Sequence, residues 1–174
     1  DAKRGDIEST SRFYAKEAFD IFNADAVTVN PYMGLDSLKP FLERKDKGII
    51  ILCRTSNKSA SDLQDLKISS SKIPFYLHVA QKVQEWNKSY KNCLMVVGAT
   101  WPEQLKKIRE IAPNMFFLVP GIGAQGGDLE KTLKAGLTKQ KTGLIINSSR
   151  AIIFAQNPRE EALKLRNEIN KFRA

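Results

Sequence analysis

The chain of 174 residues holds one histidine, His78, and two cysteines, Cys53 and Cys93. So sparse a set leaves no His/Cys/Asp cluster with the spacing of a metal site. Each cysteine sits in an apolar run, where a reduced core thiol is expected. No stretch approaches the ~20 apolar residues of a membrane helix. No cationic-then-apolar leader opens the chain, so a cytoplasmic protein without membrane association is expected. Low-complexity tracts, repeats and interdomain linkers are missing too, and residues 1–174 read as one domain. The basic residues give a net charge of +9 but form no stripe with interleaved aromatics. Nucleic-acid binding is therefore not expected, whereas anionic small molecules such as phosphorylated ones are.

What the sequence does contain is alternation. Short β-rich runs lie at 26–29, 48–54, 93–98, 115–119 and 143–147. Helical patterns fill the intervals at about 9–22, 35–44, 75–90, 102–111, 129–135 and 158–172. Runs such as Ile49-Ile-Ile-Leu52 are apolar without alternation, as in parallel strands covered on both faces. Repeated strand–helix units imply an α/β fold. Pro102 and Pro158 suit a first helical turn, and Asn157 can cap the last helix. The connection from Thr55 to Asn92 is long and opens with a polar stretch, a pattern often tied to function.

Two segments carry candidate chemistry. Pro120-Gly-Ile-Gly-Ala-Gln-Gly-Gly-Asp128 follows a strand and precedes a helix. Its glycines, Gly121, Gly123, Gly126 and Gly127, let backbone N–H groups approach an anion, and the next helix N-terminus would add positive charge. The match to G-x-G-x-x-G is formal only. A dinucleotide site wants an acidic residue about 20 positions on, and here the next strand ends Asn147-Ser-Ser-Arg150. An arginine suits a phosphate instead. Loops after strands seven and eight of a (β/α)₈ barrel often build such a site. The opening Asp1-Ala-Lys3-Arg-Gly-Asp6 alternates acid, amine and acid. On a strand, Asp1 and Lys3 would face one side. An ammonium held between carboxylates keeps its proton, which suits a proton donor and not a Schiff-base nucleophile.

Together these residues resemble a known family. Asp1-x-Lys3-x-x-Asp6-Ile7, Asn30-Pro-Tyr-Met-Gly34, Thr55-Ser-Asn57, Pro120 to Gln125 and Arg150 are similar to the motifs of orotidine 5′-monophosphate decarboxylase, in their order and across essentially the whole chain. The resemblance implies a (β/α)₈ TIM barrel whose first strand–helix units are missing from this chain. It implies conversion of orotidine 5′-monophosphate to uridine 5′-monophosphate in pyrimidine biosynthesis, with Asp1, Lys3 and Asp6 as charged catalytic groups and Lys3 as the proton donor to C6. Ile7, Thr10, Ser56, Pro120, Gln125 and Arg150 would bind substrate. No metal and no organic cofactor are implied. A homodimer with shared active sites, Asp6 crossing to the partner, is implied, and so is fusion to or association with orotate phosphoribosyltransferase in some organisms. An earlier lysine and aspartate of the family have no counterpart in these residues, and Ser149 stands where many relatives have glycine. The alternatives are a sugar-phosphate decarboxylase or aldolase of the same superfamily, or a non-catalytic phosphate-binding module.

Overall fold

Five strands form where the β-rich runs lie, and parallel pairing orders them. The computed structural model describes residues 1–123 and 125–173; Ala124, within the glycine loop, and Ala174 lie outside the described residues. In chain order the elements are α1 (Glu8–Lys16), β1 (Ala26–Val29), α2 (Leu35–Leu42), β2 (Gly48–Arg54), α3 (Ser61–Gln64), α4 (Phe75–Tyr90), β3 (Cys93–Val97), α5 (Pro102–Ile111), β4 (Phe117–Pro120), α6 (Leu129–Gly136), β5 (Leu144–Asn147), α7 (Arg150–Ile153) and α8 (Pro158–Lys171). The strands pair in the order β1-β2-β3-β4-β5, all parallel. A doubly wound sheet reverses its strand order at a switch point. Here nothing reverses, and the sheet is five consecutive strands of a (β/α)₈ barrel.

Burial separates the two faces of the sheet. Val27, Val29, Ile49, Ile51, Met95, Val97, Phe117 and Val119 pack with the helix residues Phe19, Leu38, Phe41, Val79, Leu105 and Ile108 in one core. Their alternating neighbours Leu52, Val96 and Leu118 instead line a cleft on the opposite side. The unbroken apolar runs are thus covered by helices on one face only; the other face is barrel interior. Among the described residues β5 has no second strand neighbour, and its inward-facing Ile145 is 43% exposed.

Helix ends follow local chemistry. Pro102 and Pro158 occupy first turns, and the Asn157 side chain accepts from Glu160 N at 3.3 Å. One expectation changes: the helix expected at 9–22 is α-helical only to Lys16, then widens into a π-turn over Glu17–Ile21. That turn carries Glu17, whose carboxylate takes a bidentate grip on Arg4 at 2.7–3.0 Å. The π-turn is thereby tied to the opening segment.

Both cysteines are free and buried. Burial pushes the Cys93 thiol up to about 12 and Cys53 higher still. Neither thiolate is populated near neutral pH. A thiol reagent is therefore expected to label neither residue in the native protein and both in denaturant; rapid native labelling would contradict this packing.

Candidate functional site

In a parallel barrel the loops at the carboxyl ends of the strands share one rim. The register sets which loops meet. Pro120 pairs with Asn147, so the glycine loop and the Ser148–Arg150 turn leave the sheet side by side. At the other edge Arg4 bridges Val29, with Arg4 N donating to Thr28 O at 3.1 Å and Asn30 N to Arg4 O at 2.7 Å. This ties the charged opening to the same rim.

The result is a cleft of about 480 Å³ whose walls include Asp1, Lys3, Ser56, Pro120, Gln125 and Ser149. Five of these are expected site residues, and the six come from four separate stretches of chain. Lys3 Nζ sits 2.5 Å from Asp1 Oδ2. One hydroxyl organises the pair: Thr28 Oγ1 donates to Asp1 Oδ1 at 2.8 Å and accepts from Lys3 N at 2.9 Å. Sequence reasoning missed Thr28, although it is the polar member of Ala26-Val-Thr-Val29 and alternation turns it away from the two valines. The strand expectation for Asp1 to Lys3 is corrected. Neither residue is in a strand, and Lys3 lies in the left-handed region at φ 49°. A non-glycine residue pays about 1–2 kcal/mol for that conformation, which the Thr28 hydrogen bonds offset.

The second acid does not reach the lysine within this chain. Among the described residues Lys3 pairs with Asp1 alone, and Asp6 Oδ1 accepts from Ile7 N at 2.8 Å. Asp6, Ile7 and Thr10 are not among the cleft walls, and Ile7 is exposed.

The glycine loop also differs from expectation. Gly127 N donates to Gly121 O at 3.0 Å and Gly126 N to Gly123 O at 2.8 Å, so these two donors close the loop on itself. A side chain at Gly127 would meet Gly121 O at 2.5 Å, and Gly121 has φ 106°. Both glycines are required by geometry. At the N-terminus of α6 one N–H is already taken: the Asp128 carboxylate caps the helix, accepting from Lys131 N at 3.0 Å. This backbone hydrogen bond holds the Asp128 carboxyl below its ordinary range. At this end of the cleft the walls are Pro120, Gln125, Asn147 and Ser149. Arg150 is exposed at the start of α7, next to Ser149 and outside the walls themselves, with no ion pair among the described residues. Among the described residues no three His, Cys, Asp or Glu side chains are placed to hold a metal, and no helix is long and apolar enough to cross a membrane.

Consecutive parallel strands, helices on one face and a cleft at the carboxyl ends that holds an acid–amine pair define an α/β-barrel fold of the enzyme type. Residues 1–165 match the family described as orotidine 5′-phosphate decarboxylase / HUMPS family, and the chain belongs to it. It is 54% identical to the orotidine 5′-phosphate decarboxylase of Cellvibrio japonicus (strain Ueda107), over 100% of this chain and 66% of that protein. Identity to the orotidine 5′-phosphate decarboxylase of Janthinobacterium sp. (strain Marseille) is 53%, covering 99% and 65%. The solved Leishmania donovani OMP decarboxylase superposes with a TM-score of 0.93 at 45% identity, covering 99% of this chain and 67% of that one. The Leishmania donovani UMP synthase gives 0.95 at 47% identity, covering 99% and 38%. The chain thus spans slightly less than two thirds of the curated relatives it matches.

Proposed function

We propose that the protein removes CO2 from orotidine 5′-monophosphate to give uridine 5′-monophosphate in pyrimidine biosynthesis. The observation that carries this reading is the convergence of the Asp1–Lys3 pair, the Ser56 wall and Gln125 on one cleft. Gln125 and Arg150 hold the phosphate, and Ser56 meets the amide edge of the pyrimidine. The substrate carboxylate is then placed against Asp1. Its repulsion from that acid is relieved when the C6–carboxylate bond breaks and CO2 leaves. The electron pair stays on C6, where the Lys3 ammonium stabilises it and then delivers a proton. Binding energy from the distant phosphate is used to hold this otherwise unfavourable arrangement. No metal or organic cofactor takes part.

The exposed Ile7 and the position of Asp6 outside the cleft support a homodimer in which Asp6 completes the partner's charge network. The likeness to a UMP synthase supports association with orotate phosphoribosyltransferase, and a cytoplasmic location is part of the same proposal. Incubating the full-length protein with orotidine 5′-monophosphate and following its ultraviolet band tests the reading; a band that persists refutes it. The HUMPS part of the family description favours a sugar-phosphate decarboxylase as the second reading. Those enzymes want a divalent metal, so turnover insensitive to chelators separates the two.

Charged hydrogen bonds to a phosphate are worth about 1.5–3 kcal/mol each. Arg150→Ala is accordingly expected to weaken uridine 5′-monophosphate binding by roughly 10- to 100-fold, read by calorimetry. Unchanged affinity would remove Arg150 from the phosphate site.

A further inference from the structure

The Thr55–Asn57 segment forms one wall of the cleft, yet no strand ladder holds it. The β2–β3 register shifts between Leu52 and Arg54, and β2 ends there. Such irregularities re-aim side chains beside active sites. Here the shift accompanies a buried arginine: Arg54 is 0% exposed, with its guanidinium 4.5 Å from the centre of the Trp101 ring.

Side chains from two other elements take over the backbone of this wall. Arg54 Nη1 donates to Thr55 O at 3.2 Å, and Trp101 Nε1 donates to the same oxygen at 3.1 Å. Gln64, at the end of α3, uses its whole amide: Oε1 accepts from Thr55 N at 2.9 Å and from Arg54 Nη1 at 3.2 Å, while Nε2 donates to Thr55 Oγ1 at 2.9 Å. Thr55 Oγ1 in turn donates a hydrogen bond to Asn57 Oδ1 at 2.7 Å. Thr100 Oγ1 fixes Ser56 O at 3.0 Å, and Asp65 neutralises Arg54 at 3.0 Å. Ser56 presses so closely on Gly98 that an added Cβ there would lie 2.7 Å from Ser56 Cα.

We infer that Gln64, braced by Arg54, is a positioning residue that sets Ser56 and Asn57 for recognition of the nucleobase, although Gln64 is not itself a wall of the Asp1–Lys3 cleft. The inference rests on the reading of that cleft as a nucleotide site. Ser56 can meet a planar amide edge only if its backbone is held at one height, and every hydrogen bond holding Thr55 N and Thr55 Oγ1 runs through Gln64 or Asn57. The phosphate end of the cleft lies on other loops, and the hydrogen bonds of Gln64 go to Thr55 and Arg54 and not to those loops. Gln64 therefore controls selectivity for the base and not affinity for the phosphate.

The test compares binding of uridine 5′-monophosphate and ribose 5-phosphate to the full-length protein and to Gln64→Met, which keeps length but makes no such hydrogen bonds. Losing these hydrogen bonds corresponds to roughly ten-fold in affinity. Uridine 5′-monophosphate should weaken by that factor while ribose 5-phosphate is unchanged, with KM raised more than kcat is lowered. Gln64→Glu keeps the acceptor for Thr55 N and should recover part of the loss. Unaltered nucleotide affinity in Gln64→Met, or an equal loss for both ligands, would overturn the positioning role. Unmodified protein that binds the two ligands alike overturns the nucleotide reading of the cleft, and this inference with it.

Discussion

Replacing Lys3 by alanine is expected to lower turnover of orotidine 5′-monophosphate by at least about 10³-fold while uridine 5′-monophosphate still binds. Proton donation by a positioned group contributes roughly 10²–10⁴-fold, and the same ammonium stabilises the carbanion that precedes it. The fold should survive the change. The Lys3–Asp1 pair is half exposed, with side chains 50% and 64% accessible. Pairs of that kind contribute about 0–1 kcal/mol to stability. Lost activity in this variant is therefore lost chemistry. Lys3→Arg divides the two roles of the lysine: a guanidinium keeps positive charge beside Asp1 but does not release its proton. Both variants should be nearly inactive if proton delivery limits the reaction. Single-turnover kinetics with orotidine 5′-monophosphate, beside calorimetry with the product, reads both arms. Near-normal turnover in Lys3→Ala would remove the lysine from the mechanism.

The contrast between Lys3 and the glycine loop shows which parts of the site were legible in the sequence. Strand positions were readable because Ile49–Leu52 and Phe116–Val119 are apolar runs between helical periods, and parallel pairing then left little freedom in their order. Residue types with few other uses pointed toward the cleft: Lys3, set between acids, lines it, and Arg150, following a strand, stands beside it. What sequence spacing could not supply was the competition for hydrogen bonds. The glycine loop contains donors that an anion could use, but Gly126 and Gly127 donate to carbonyls of their own loop. Likewise the α6 N-terminus is already met by Asp128. Arg54 and Gln64 were missed because their roles arise from side chains far apart in the chain, with Trp101 arriving from beyond β3. Alternation had the information to find Thr28; nothing local marked Gln64.

Arg109→Leu is expected to destabilise the fold far more than Lys3→Ala or Arg150→Ala, without touching the cleft. Arg109 is buried in the core side of α5 and has no acidic partner among the described residues. Its guanidinium instead donates to four backbone carbonyls: Gly136 at 2.7 Å, Ala112 at 2.9 Å, Met115 at 2.5 Å and Gly143 at 3.0 Å. It also lies 3.7 Å from the centre of the Phe117 ring. These carbonyls belong to the ends of α5 and α6 and the segments entering β4 and β5, so one side chain joins two strand–helix units. Desolvation opposes this and lowers the Arg109 pKa to about 10. The group remains charged at neutral pH in folded and unfolded chains alike. Its contribution is therefore independent of pH across the neutral range. Above about pH 10 the unfolded chain binds more protons, and this site favours folding as pH rises. Leucine escapes the desolvation cost but strands the Gly136 and Met115 carbonyls, at about 1–3 kcal/mol for each unsatisfied buried group. A net loss of roughly 3–5 kcal/mol would lower Tm on the order of 10 °C for a chain of this size. Arg109→Lys should fall between, since three donors on one nitrogen cannot span four diverging carbonyls. A leucine variant melting within about 2 °C of the parent would show that water or backbone movement satisfies those carbonyls, and that the arginine does not join the two units.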